Sequence, residues 1–329
     1  MMEFATLGST DLRVSRVCLG CMGFGDPARG QHKWTLDEAG SRQIIHRALD
    51  LGINFFDTAV VYQGGTSEEY LGRAIRDFVP RREAVIATKF PVRSKEEIEN
   101  GISGRTHVKT MLEKSLKNLN TDYIDLYILH MWDYNTPIFE ILEGLNDAVR
   151  AGQVRFIGIS NCFAWQLCKA NALAEKEGFP TFRTIQGHYN LIFREEEREM
   201  IPYCKSEGIA VTPYSPLAGG RLSKHPGESS RRLVADAYAK FKYDATEEQD
   251  AKVIARVAEI AEDRHVSMTQ VALSWLIHKG AIPVCGATKE THLADAVKAT
   301  ELSLTDAEIQ ALEEMYVPHR LVGVMAENH

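Results

Sequence analysis

Residues 36–57 read LDEAGSRQIIHRALDLGINFFD. Ile44, Ile45 and Leu49 recur at helical spacing, so Leu36–Leu51 reads as an amphipathic helix. Gly52 stands where a helix C-terminus favours glycine. Ile53–Phe56 is a short apolar run of strand type, and it ends abruptly in charged Asp57. Helix, glycine, apolar run, polar residue: this succession repeats along the chain. Further apolar runs lie at Val17–Leu19, Ala84–Thr88, Ile124–Leu129, Val154–Ile159, Arg183–Ile185, Ile209–Thr212 and Ala281–Cys285. Amphipathic segments separate them at Ser67–Phe78, His107–Leu119, Pro137–Arg150, Ala164–Glu177, Glu195–Glu207, Glu247–Arg264 and Ser267–Lys279. Thr136 reads as an N-cap ahead of Pro137, and Gly152 and Gly208 repeat the stop signal of Gly52. Strands alternating with helices imply right-handed crossovers and a parallel sheet. Eight such units without a linker-like break predict a (β/α)8 TIM barrel, one α/β domain over residues 1–329. Glu3–Val14 reads as an N-terminal hairpin placed to plug the barrel bottom. Leu304–Met315 reads as an extra C-terminal helix, followed by a tail, Tyr316–His329. Leu217–Thr246 is a long charged stretch, and long loops in compact domains are commonly functional.

Composition excludes several functions. Apolar residues make up 44% and charged residues 25% of 329, ordinary globular proportions. The net charge of −7 opposes a nucleic-acid or anionic-membrane partner. The N-terminus lacks a signal-type apolar core, and Tyr123–Leu129, interrupted by Asp125, is too short to span a bilayer. The six cysteines are irregularly spaced. Cys18 and Cys21 form C-x-x-C, but no second pair completes a zinc site; they read as small residues at the end of a buried strand, and no metal is expected. A cytoplasmic protein is the expectation. Glu195–Glu197 reads as a solvated charged face.

Polar residues gather where the runs end: Asp57, Lys89, His130, Ser160-Asn161, Gln186 and Tyr214. In a barrel all of them reach the C-terminal mouth, where active sites are built. A strand-end lysine needs a counter-charge, which Asp57 supplies. Tyr62, five residues beyond Asp57, can fold over the same mouth. A neighbouring cation favours the phenolate and would make Tyr62 a usable general acid, while His130 can hydrogen-bond a substrate oxygen. The set suits protonation of a carbonyl oxygen while hydride reaches its carbon. No dinucleotide fingerprint appears, since Ala28 occupies the third glycine position after Gly23 and Gly25. Residues 285–289, following the eighth run and opening a helix, suggest an anion site.

On the motifs GINFFDTAVVY (52–62), Thr88-Lys89, Leu129-His130, GISN (158–161), Gln186, YSPL (214–217) and Gly286–Lys289, the chain resembles the aldo/keto reductase family over nearly its whole length. SPLAGG and HYNLIFREEE are similar to bacterial relatives of potassium-channel β-subunits. The resemblance implies a barrel binding NADPH or NADP+ at its mouth and reducing a small carbonyl substrate. It implies Asp57, Tyr62, Lys89 and His130 as the catalytic set, with Tyr62, His130 and Trp132 meeting substrate. Ser160, Asn161 and Gln186 would hold the carboxamide, near Met22 and Asp57, and Tyr214 would stack on the nicotinamide. Ser215, Pro216, Leu217, Gly219 and Arg221 would line the pyrophosphate; Thr288 and Lys289, joined by Arg231 of the long loop, would meet the 2′-phosphate, and Gly286 is a further cofactor contact. His292 and Asp295 fall on the adenine helix, where relatives often read Gln-Leu-x-Glu-Asn and this chain reads His292–Ala296. Cys21, Met22, Val61, Trp132, Tyr134 and the tail are the pocket-lining candidates. Sugar-derived aldehydes, dicarbonyls, pyridoxal and aromatic aldehydes all stay open as substrates. Two rival readings are a cofactor sensor with little turnover and a Schiff-base lyase using Lys89.

Overall fold

A computed structural model describes residues 2–30, 32–225, 228 and 236–326. Strands β1 (Phe4–Thr6) and β2 (Arg13–Ser15) form the expected hairpin. The eight runs become β3 (Cys18–Gly20), β4 (Phe55–Asp57), β5 (Val85–Phe90), β6 (Ile124–Leu129), β7 (Val154–Ser160), β8 (Phe182–Gln186), β9 (Ala210–Val211) and β10 (Val284–Gly286). All pairs are parallel, in the order β10-β3-β4-β5-β6-β7-β8-β9. The two ends of that order meet: Ile282 N–H donates to Val211 C=O and Val284 N–H to Pro213 C=O, each at 2.9 Å. The sheet therefore curls into the (β/α)8 barrel. Gly52, Gly152 and Gly208 take φ of 85°, 73° and 65°, the left-handed turns that release each helix into the next strand.

The period of two along each strand sorts side chains between two cores. Phe55, Val85, Ala87, Leu126, Ile128, Ile282 and Val284 point into the barrel, where Leu7, Leu12 and Val14 of the hairpin join them. The hairpin thus fills the bottom, as expected, and Ser9 N–H donates to Gly208 C=O at 2.9 Å. Leu19, Phe56, Ile86, Tyr127 and Ile159 face outward against the helices.

Three expectations need correction. Thr136 does not cap the helix Ile138–Arg150, which Pro137 precedes without a side-chain cap; its hydroxyl bonds Asp133 and accepts from Arg93 Nε instead. Glu195–Glu197 is a 3-10 turn, with the helix beginning at Met200, and it is not a solvated face. Glu195 accepts from Tyr316 and His319 of the tail, and Glu197 is paired to Arg194. The long stretch after β9 contains a helix, Ala237–Tyr243, capped by Asp236, whose carboxylate accepts from Ala239 N–H at 2.9 Å. No helix among the described residues is long and apolar enough to cross a membrane.

Asp125 interrupts the most apolar strand because it ties three strands together. Its buried carboxylate accepts from Arg81 (2.7 Å), Ile86 N–H (3.0 Å) and Arg155 (3.1 Å). Removing one partner of a buried ion pair leaves the others uncompensated. Asp125→Ala is expected to cost about 3 kcal/mol of stability, measured by urea unfolding; a loss below about 1 kcal/mol would remove it from this role.

Candidate active site

Asp57, Lys89 and His130 follow the inward-facing residues Phe55, Ala87 and Ile128 by two positions, so the pleat that builds the core also aims them along the barrel axis. Lys89, with no exposed surface, donates to Asp57 Oδ1 at 2.6 Å, Thr58 C=O at 2.8 Å and Tyr62 Oη at 3.2 Å. Tyr62 arrives on a short turn, and its ring meets that of His130 edge-on at 5.8 Å. Four residues named from the sequence therefore converge on one point.

The charges are tightly set. Burial works against the Lys89 ammonium, yet Asp57 and Tyr62 more than offset it and raise its pKa. Burial also raises the Tyr62 phenol, and the pull of Lys89 does not reverse this, because Asp57 opposes it. The expected lowering by the cation is present but outweighed, which keeps Tyr62 in its proton-bearing form. Burial, with Lys89 adding to it, pushes His130 down to about 3. Its ring is thus a neutral hydrogen-bonding group.

The next shell is continuous. Gln186 Nε2 donates to Asp57 Oδ2 at 2.8 Å, Ser160 Oγ to Gln186 C=O at 2.7 Å, and Asn161 Nδ2 to Ser160 Oγ at 2.8 Å and His130 C=O at 3.0 Å. Tyr214 Oη donates to Asn161 Oδ1 at 3.0 Å. His188 lies parallel to Tyr214 at 5.4 Å, and Phe193 parallel to His188 at 4.1 Å, forming a three-ring stack behind the mouth. Beyond Tyr214 the chain turns through Ser215 (φ 53°), Ala218 (50°), Gly219 (67°) and Gly220 (107°). Ala218 N–H donates to Ser215 C=O at 2.9 Å and Gly220 N–H to Leu217 C=O at 2.8 Å, so this is a tight, internally bonded turn, and anion-binding concavities are built from turns. Pro216 and Leu217 lie within this turn; Arg221 is paired to Asp244, with its guanidinium 5.1 Å from the Tyr243 ring centroid.

Gly286 ends β10, and Thr288 and Lys289 lead into the helix Glu290–Glu301, which starts without a side-chain cap. Thr288 N–H donates to His292 Nδ1 at 3.4 Å, and Asp295 accepts from Gln270 at 2.8 Å. Arg231 lies outside the described residues. Met22 belongs to the 3-10 turn directly after β3. Trp132 is buried at the β6 exit, 6.3 Å from the Trp165 ring, and Tyr134 accepts from Gln166 at 2.8 Å. Val61 is exposed nearby in sequence to Tyr62. The six cysteines are free, Cys18 and Cys21 buried, and no metal-ligand cluster occurs among the described residues.

Sequence reasoning missed three groups. Trp165 is an exposed tryptophan at the start of a helix directly after GISN, a signal the chain did offer. Glu196 is pushed up to about 7 by burial, then by Glu195, which its charge-rich context conceals. Lys242, a buried lysine, comes from a helix the pattern did not reveal.

The Aldo/keto reductase family pattern matches residues 16–317. The chain belongs to that family. It is 38% identical to the versiconal hemiacetal acetate reductase of Aspergillus parasiticus, over 96% of this chain and 98% of that protein. It is 37% identical to a putative aryl-alcohol dehydrogenase of Schizosaccharomyces pombe, over 97% of each. A crystal structure of the thermostable aldo-keto reductase Tm1743 with the inhibitor epalrestat superposes with a TM-score of 0.76 at 27% identity, covering 95% of this chain and 100% of that one. This aldo/keto reductase is accordingly an oxidoreductase of the carbonyl-reducing kind.

His130 and His188 are both held neutral by burial. Their folded pKa lies below the unfolded value of ~6.5, so below that pH the unfolded chain binds more protons and stability falls with falling pH. His130→Gln is expected to flatten the stability slope between pH ~6 and ~4.5 by about 1.4 kcal/mol per pH unit. An NMR titration of wild type showing a His130 midpoint near ~6.5 would contradict the buried neutral ring.

Proposed function

We propose that the chain is an NADPH-dependent reductase of aldehydes and ketones, with Tyr62 as the general acid. The observation that carries this is the Lys89 ammonium shared between Asp57 and Tyr62 at the barrel mouth. A nicotinamide dinucleotide fits the residues present: the Tyr214–His188–Phe193 stack offers a flat platform, residues 215–220 a tight left-handed turn against which phosphate can lie, and Thr288–Lys289 an uncapped helix start beside a cation. Bound NADPH supplies the hydride that reaches the carbonyl carbon.

The remaining steps belong to side chains. Tyr62 donates its proton to the carbonyl oxygen. Lys89 stabilises the charge left on the phenolate, which in a buried site is a larger effect than in water. Asp57 holds Lys89 in place and is itself oriented by Gln186. Neutral His130 positions the carbonyl oxygen by hydrogen bonding. The ion pair with Asp57 keeps Lys89 cationic, whereas a Schiff-base nucleophile must be a neutral amine; the geometry therefore favours reduction over lyase chemistry. Trp132 and Trp165 beside the mouth favour flat, aromatic aldehydes, a direction shared by the aryl-alcohol dehydrogenase name of the S. pombe relative.

NADPH and NADH oxidation measured against aliphatic, dicarbonyl and aromatic aldehydes tests this. Turnover with NADPH is expected, highest on aromatic aldehydes, and Tyr62→Phe is expected to keep NADPH binding while losing kcat by about 100-fold or more. Tight binding without turnover on any aldehyde would return the cofactor-sensor reading. Undiminished turnover in Tyr62→Phe would eliminate the assigned acid.

A further inference from the structure

The C-terminal tail, named from the sequence as a pocket-lining candidate, is tied to the segments that follow β8 and β9. Tyr316 Oη donates to Glu195 at 2.6 Å, His319 N–H to the same oxygen at 2.8 Å, and His319 Nε2 meets Asp250 at 2.9 Å with both side chains buried. Gly323 then takes φ +65° against the helix Ala237–Tyr243. A side chain there would strike Tyr238 Oη at 2.6 Å and touch the Lys242 stem at 3.5 Å. The tail is thus fitted to this helix at the one residue type that permits the approach.

That helix delivers Lys242 to the 215–220 turn. Lys242 is only 5% exposed, and its ammonium donates to Ser215 Oγ at 3.0 Å. It lies 5.4, 5.1 and 5.2 Å from the ring centroids of Tyr214, Tyr238 and Tyr243. Ser215 opens the left-handed turn 215–220 and follows the ring proposed as nicotinamide platform. A cation is therefore held, largely out of water, at the first residue of the turn proposed to meet phosphate. Water-poor surroundings strengthen its attraction for an anion there.

We infer that Lys242 is a positive charge of the cofactor's pyrophosphate subsite, and that the C-terminal tail, through Gly323 against Tyr238 and Lys242, is the latch that positions it. This rests on the reading that the mouth binds NADPH. The tail then governs how tightly the dinucleotide is held rather than which carbonyl is reduced.

The test is NADPH affinity by fluorescence titration at about 50 and about 250 mM salt, with release timed by stopped flow. Lys242→Met is expected to weaken NADPH by about 10-fold or more, speed its release and flatten the salt dependence, as loss of a charged hydrogen bond does. Lys242→Arg keeps the charge and is expected to stay within about 3-fold of wild type. Gly323→Val should reproduce the Lys242→Met loss, and the double variant should add nothing to either. Deletion of residues 323–329, checked for an intact thermal transition, gives the same reading should Gly323→Val unfold. A Lys242→Met protein with wild-type affinity and salt dependence overturns the assignment of the lysine. Fully additive losses in the double variant overturn the latch. A wild-type chain that binds no NADPH fails the reading beneath and this inference with it, an outcome separable from the other two because it appears before any substitution is made.

Discussion

The structure is organised around one buried ammonium. Taking Lys89 fully out of water costs several kcal/mol unless its charge is answered at close range. The answer comes from two other segments: Asp57 at the end of the preceding strand, and Thr58 and Tyr62 from the loop beyond it. That requirement fixes how the β4–Tyr62 loop folds over the mouth. It then propagates, since the second oxygen of Asp57 is filled by Gln186 and the Gln186 strand is linked to Ser160, Asn161 and Tyr214. A lysine that must be charged in a dry place thus positions side chains from strands on both sides of the barrel.

The same constraint divides the protonation states. Burial keeps the proton on Tyr62 and off His130, although the two rings are 5.8 Å apart. Burial favours the neutral form of each, and for a phenol that form carries the proton while for an imidazole it does not. One end of the barrel consequently holds a protonated phenol and a neutral imidazole side by side, without either having to titrate.

Much of this was legible in the sequence because the relevant signals are local. Asp57, Lys89 and His130 are polar residues that end apolar runs, and the period of two carries each onto the inner face that its run already occupies. The eight-unit rhythm, the plugging hairpin and the glycine stops are likewise local patterns. What escaped depends on partners far away in the chain. Glu195 looks like a surface carboxylate until Tyr316 and His319, more than a hundred residues later, close over it. Lys242 looks like one more lysine in a charged stretch until a helix turns it toward Ser215. Thr136 stood in a good capping position, but Arg93 and Asp133 compete for its hydroxyl. In each case a long-range contact overrode or hid a local preference.

The seam of the barrel carries a consequence of its own. β9 is two residues long and meets β10 through two backbone hydrogen bonds, Ile282 to Val211 and Val284 to Pro213. Few bonds make a joint that breathes readily. The 215–220 turn follows β9, and the uncapped helix start follows β10, so the two proposed anchor points for one dinucleotide stand on opposite sides of this joint. A ligand gripping both acts as a staple, and its binding energy becomes cohesion of the ring. The seam of the ring and the place where a ligand would staple it are the same.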